Sequence, residues 1–216
     1  MANLVKLGFS KNIIVETIVS TYNADGLPNA APMGVTMQNT RHIAIRPYTS
    51  TLTFKNLESK RCAVINVTSD PELYYRTAFK EVNQKGNIPQ EWFEKAGTID
   101  APKLKMAEAC IEVSVVNISR FQPERANVLC QVKSIKASRN FPKVYCRGLF
   151  ATIEAITHAT RVKVLINDPH EQEHVGRLLK TIDDCIDVVN RVAPNSLFYE
   201  IMEDLNKRIV SWKRQT

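Results

Sequence analysis

Residues 46–67, RPYTSTLTFKNLESKRCAVINV, hold the densest set of groups that could do chemistry. Tyr48, Thr49, Ser50, Thr51 and Thr53 crowd between Arg46 and Lys55, and Asn56 follows at once. Short hydroxyl donors converging beside one or two cations suit a phosphate monoester, which needs several donors and does not need its counter-charges buried. A helix opening within residues 50–57 would add unpaired N–H groups and a partial positive charge on the same side. The same residues also fit a polar strand-to-helix loop whose Ser and Thr only cap the helix. The residue types alone leave both readings open.

Other chemistry is thinly represented. There is no GxGxxG, no GxxxxGK[ST] and no GxSxG elbow, so dinucleotide loops, nucleoside triphosphate loops and a serine nucleophile are unsupported. His170 and His174 stand four apart but among Glu171 and Glu173, which reads as a solvated acidic face; no metal is expected. His158 shares a helix face with Glu154 and Arg161, a polar seam between helix and barrel or, less simply, an acid catalyst. With no paired carboxylates and no nucleophile constellation, catalytic residues stay unassigned; any reaction would rest on a bound cofactor.

The elements that must position the hydroxyl cluster follow from periodicity. Residues 12–21 are β-branched almost throughout, a strand; Asn23, Asp25-Gly26 and Pro28 form a reversal, and residues 29–38 return as the second strand of a hairpin. Ala30, Ala31 and Gly34 keep that return strand small, which suits either close approach of a flat group or a bulge. Strands are expected at 42–46, 61–68, 109–120 and 126–137, with short helices at 53–58 and 72–78, the latter capped by Asp70 before Pro71. Residues 80–105 are polar and broken by Gly and Pro, either a cover over a ligand or a local minicore around Trp92 and Phe93. The period then changes to helical: 143–164 after Pro142, a second helix opened by Asp168-Pro169 and running to 192, and a third at 197–213, the last two expected to pair antiparallel. The fold class is therefore α+β: an antiparallel β-barrel over residues 1–140, then a helical extension over 141–216 packed on it.

Composition agrees with a globular protein: 216 residues, 44% hydrophobic and 24% charged. The apolar part of residues 1–23 carries Asn12 and Glu16 and lacks a small-residue cleavage site, against a signal peptide, and no run reaches the roughly 18 apolar residues of a membrane span. Cys62, Cys110, Cys130, Cys146 and Cys185 are widely spaced without a CxxC pair and read as reduced thiols, which places the chain in the cytoplasm. A net charge of +7 favours an anionic partner, but the positives are scattered, so a phosphate-bearing small molecule is preferred and nucleic acid is unlikely.

The run ETIVSTYNADGLPNAAPMGV, followed by YTSTLTFKNL and AVINV, resembles the FMN-binding split barrel shared by pyridoxamine phosphate oxidases and flavin reductases. Tyr48-Thr49 and Thr53-Phe54-Lys55 stand where the oxidases carry a Tyr-Thr pair and a Ser-x-Lys that bind the FMN phosphate; Ser50, Asn56-Leu57 and residues 64–67 compare with flavin reductase segments. From about residue 10 to 214, including the EAITHATR helix, the chain is most similar to an archaeal family of FMN-binding split-barrel proteins with a C-terminal helical extension.

The resemblance implies FMN as cofactor, a homodimer with the flavin near the subunit interface, and a flavin-dependent oxidoreductase of unassigned substrate. A non-catalytic flavin carrier or sensor, with the helices binding a partner, is the alternative; a basic RNA-binding barrel is a weaker one. It also implies that Arg46, Tyr48, Thr49, Ser50, Thr51, Thr53, Lys55 and Asn56 hold or support the phosphate, and that Met33, Gly34 and Val35, with Ala31 nearby, line the flavin. Phe54 departs from the pattern, standing where the oxidases have a basic residue, and so does the absence of a basic residue near Met33. The oxidases' substrate residues are not recognisable, so their reaction is not carried over.

Overall fold

The computed structural model describes residues 3–9, 11, 14–138 and 147–214. Contacts divide the chain into two units, one of residues 1–68 and 80–141, the other of residues 69–79 and 142–216.

The first unit is a closed barrel of six antiparallel strands in the order β1-β2-β3-β8-β7-β4. Its strands are β1 (Ile14–Tyr22), β2 (Pro28–Asn39), β3 (His42–Ile45), β4 (Cys62–Val67), β7 (Ala109–Gln122) and β8 (Arg125–Ala137). Closure leaves no unpaired edge, which an isolated antiparallel sheet of this size would have to protect. Alternation decides the interior: Val35 and Met37 of β2, Ile43 and Ile45 of β3, Ala63 and Ile65 of β4, Ile111 and Val113 of β7, and Val128 and Cys130 of β8 form one buried cluster. Asn12 and Ile13 of the expected first strand lie outside the described residues.

Between β3 and β4 runs α1 (Leu52–Lys60), which begins and ends slightly outside the expected span. Its Phe54 and Leu57 join the barrel cluster at 2% and 0% exposure, while Lys55 and Glu58 face solvent. Burying such a side chain contributes about 1.5–3 kcal/mol. Phe54, standing where the oxidases have a cation, is therefore a core residue. Arg61 ends the helix in the left-handed region at φ 58°, its amide donating to Leu57 O at 3.2 Å.

The stretch expected to be irregular forms a minicore on the outside of the barrel. β5 (Phe93–Lys95) and β6 (Pro102–Leu104) pair antiparallel, and Ala96 and Ala101 bury against Cys62, Val64 and Cys110. Three short turns precede it, at Lys80–Val82, Gln84–Gly86 and Gln90–Trp92. Fully buried Asn66 ties the pieces together: its Nδ2 donates to Ile18 O and Ser20 Oγ at 2.8 Å each, and its Oδ1 accepts from Leu104 N at 2.9 Å. Glu112, also buried, accepts from Gly97 N at 3.0 Å and from the amide and hydroxyl of Thr98 at 2.6 Å.

The second unit is helical. α2 (Pro71–Ala78) is capped by Asp70, which accepts from Glu72 N and Leu73 N. α3 (Arg147–Leu165) packs against α2, α4 (Gln172–Val192) and α5 (Leu197–Arg214), and α4 and α5 also touch. The expected start at Pro142 and residues 143–146, including Cys146, lie outside the described residues. α4 starts later than Asp168-Pro169 suggested, because Asp168 closes a local turn by accepting from His170 N at 2.9 Å. Gln172 then donates to Ile166 O and Asp168 O at 2.9 and 2.8 Å, satisfying carbonyls of the turn that follows α3.

Candidate functional site

The loop between β3 and α1 is held by the tip of the β7–β8 hairpin. Tyr48 bridges to Arg125, Thr49 N donates to Glu124 O at 2.9 Å, and Ala126 N donates to Pro47 O at 3.2 Å. The Arg125 guanidinium lies 3.5 Å over the Tyr48 ring, and its Nη1 donates to Arg46 O at 3.1 Å. A planar cation on an aromatic face, with a backbone acceptor beyond it, fixes both the ring and the carbonyl.

The hydroxyl cluster divides into roles that residue types could not separate. Thr51 is the N-cap: its Oγ1 accepts from Phe54 N at 3.3 Å and donates to Tyr48 O at 2.8 Å. Thr53, 2% exposed, accepts from Asn29 Nδ2 at 3.2 Å. Asn56, 3% exposed, donates to Thr21 Oγ1 at 2.9 Å. Thr49 is half-buried and Ser50 exposed. Among the described residues neither of their hydroxyls makes a hydrogen bond, and Lys55 is exposed without an ion pair. The cluster is thus divided: Thr51 caps, while among the described residues the side chains of Thr49, Ser50 and Lys55 take no part in capping.

The amides of Leu52 and Thr53 sit in the first turn of α1, where no intrahelical acceptor exists. Arg46 is exposed at the end of β3. Positive charge from Arg46, Lys55 and Arg125, free hydroxyls and the open helix terminus make a donor set that suits a phosphate dianion.

On β2 the alternation sorts the other candidates. Val35 is fully buried and Met33 packs against the same cluster, so both side chains belong to the barrel interior; only their backbone reaches the outer face. Gly34 points outward opposite Glu16 of β1, and a Cβ there would sit 2.8 Å from Ile14 Cγ2 and 3.3 Å from Glu16 Oε1. The close approach that Gly34 allows is thus already used, at least in part, by its neighbours on β1.

Four residues of the site carried no signal in the sequence. Arg125 lies at a distant hairpin tip, and Thr21, Asn29 and Lys80 come from three further segments. Lys80 Nζ donates to Asn29 Oδ1, and burial pushes its ammonium pKa down. Elsewhere, His158 Nε2 meets Glu154 Oε1 at 3.0 Å on α3, while its buried Nδ1 has no partner among the described residues. His174 Nδ1 is 2.9 Å from Glu171 Oε2. No group of His, Cys, Asp and Glu able to hold a metal occurs among the described residues. Among the same residues no helix is long and apolar enough to cross a membrane. Cys62, Cys110, Cys130 and Cys185 are buried free thiols, and burial pushes Cys110 up to about 11 and Cys130 to about 12.

Residues 15–139 match the family described as "Protein of unknown function (DUF447) N-terminal domain". Among solved structures, an FMN-bound protein of that family from Methanosarcina mazei aligns at TM-score 0.73 and 23% identity, covering 94% of this chain and 98% of the other. A 2-nitrobenzoate 2-nitroreductase from Pseudomonas fluorescens aligns at TM-score 0.48 and 20% identity, covering 59% and 67% of the two chains. Flavoredoxin from Desulfovibrio vulgaris aligns at 0.46 and 14%, covering 58% and 70%.

Proposed function

The chain belongs to the DUF447 family, and from that premise we propose that it is an FMN-binding flavoprotein whose phosphate site is the loop and first turn of α1. The observation that carries the proposal is the division among the hydroxyls: Thr51 caps, Thr53 and Asn56 hold the helix, and Thr49 and Ser50 stay open beside Lys55. The FMN bound to the Methanosarcina mazei protein supports that choice of ligand over other phosphate esters.

Thr49 and Ser50 hydroxyls and the Leu52 and Thr53 amides donate to the phosphate, and Arg46, Lys55 and Arg125 supply the counter-charge. Arg125 also holds the loop through Tyr48 and the Arg46 carbonyl. The outward-facing backbone of Met33 to Val35 is the surface beside which the ring system would lie. FMN, when bound, supplies one- and two-electron redox chemistry. The protein acts as an oxidoreductase on that basis, as a cytoplasmic homodimer in which a second copy covers the exposed edge of the flavin.

The purified protein titrated with FMN tests the reading. Quenching of flavin fluorescence with dissociation in the micromolar range or tighter, and much weaker binding of riboflavin, is expected; equal affinity for both ligands would sink the phosphate assignment. Sedimentation equilibrium tests the dimer. Anaerobic reduction of the bound flavin by NADH or NADPH separates a reductase from a passive carrier.

A further inference from the structure

Behind the open face of the site runs a buried chain of polar groups, Lys80 to Asn29 to Thr53. Its direction is fixed by chemistry. An ammonium only donates, so Asn29 must present its carbonyl oxygen to Lys80 and its amide NH2 to Thr53. Thr53 Oγ1 then accepts at 3.2 Å, and the hydroxyl keeps its own proton to give away. Among the described residues that proton meets no acceptor. Thr53 is 2% exposed and stands in the first turn of α1 beside its own open amide.

Resting on the FMN reading above, we propose that Lys80 is a positioning residue for the phosphate: through Asn29 it polarises Thr53 and locks its hydroxyl as a donor toward the anion at the α1 terminus. Without Lys80, the Asn29 amide is free to flip. Thr53 could then donate to the Asn29 carbonyl oxygen, turning a lone pair toward the phosphate. Chains of hydrogen bonds in a low-dielectric interior strengthen one another, and the terminal donor gains from the charge at the other end.

The test compares FMN with riboflavin, which lacks the phosphate, in the full-length chain. Lys80→Met is expected to weaken FMN about tenfold and leave riboflavin within about twofold. In a Thr53→Val background, Lys80→Met should have no further effect on the FMN-to-riboflavin ratio, because the chain is already cut. Equal losses for both flavins, or additive effects of the two substitutions, overturn the proposal and leave Lys80 a packing residue. Should Lys80→Met fail to fold by circular dichroism, Thr53→Val against Thr53→Ser carries the question. Serine must keep FMN affinity and valine lose it, and indifference to both is the overturning result. Wild-type protein that binds FMN no better than riboflavin refutes the phosphate site itself, a separate outcome visible before any variant is made.

Discussion

Thr21 and Asn29 face each other across the β1–β2 pair, and each is hydrogen-bonded to α1, at Asn56 and Thr53, residues three apart on one face of the helix. The hairpin's cross-strand spacing thus matches a helical i, i+3 step. Two buried side-chain bonds, not one, set the helix's rotation about its axis, and with it the direction in which its open amides point.

Cutting one of these bonds should cost stability rather than merely loosen the site. Asn56→Leu leaves the buried Thr21 hydroxyl without its donor, a loss of about 1–3 kcal/mol. Urea denaturation checks it, and adding Thr21→Val should recover part of the loss, because both partners are then apolar.

The open groups should act on affinity with little effect on stability. Lys55→Ala with Thr49→Ala is expected to weaken FMN by about 2–4 kcal/mol, through lost charge-assisted hydrogen bonds. A fluorescence titration reads it. An unchanged affinity would show that the phosphate sits elsewhere.

Arg125 should tolerate lysine poorly. Its guanidinium lies flat over Tyr48 while donating to Arg46 O, a geometry that an ammonium on a flexible stem does not reproduce. Arg125→Lys is expected to forfeit about 0.5–1 kcal/mol of stacking and to raise proteolytic nicking at residues 46–51. Both effects should be larger in Arg125→Ala.

Glu112 makes stability depend on pH. Burial alone would raise its pKa, but the Thr98 hydroxyl and the Gly97 and Thr98 amides all donate to the carboxylate and bring it below the ordinary value. A folded-state pKa below the unfolded one means that the contribution is present at neutral pH and lost as pH falls through the folded value. Melting temperatures of wild type and Glu112→Gln should differ most near neutrality and converge in acid. A difference that does not change with pH would contradict the assignment.

Much of this architecture was legible in the sequence. Strand alternation and the Asp25-Gly26 turn give the hairpin, and Asp70-Pro71 gives the start of α2, because those signals act between neighbours. The hydroxyls and cations of residues 46–55 marked the loop before α1 as a candidate, and among the described residues the Thr49 and Ser50 side chains make no hydrogen bond. Which hydroxyl does which task was not legible. Thr49, Thr51 and Thr53 are the same side chain, and only Asn29 and the Phe54 amide tell them apart. Lys80 and Arg125 could not be found at all, since their partners lie 51 and 79 residues away. The Asp168-Pro169 pair set the start of α4 too early, because a capping residue before a proline also makes a good turn. The strands β5 and β6 escaped notice because at three residues each they are too short to show a period.

Phe54 and Lys55 are adjacent in α1, one within the barrel interior and one in water. A helix whose inner face is part of the core has no independent way to open. Amide protons of residues 54–57 should therefore exchange with deuterium only when the whole barrel unfolds, while those at the hairpin turn of residues 23–27 exchange early. Cofactor loading would then slow the exchange of distant barrel strands as much as that of the loop it touches, since both would report the same cooperative event.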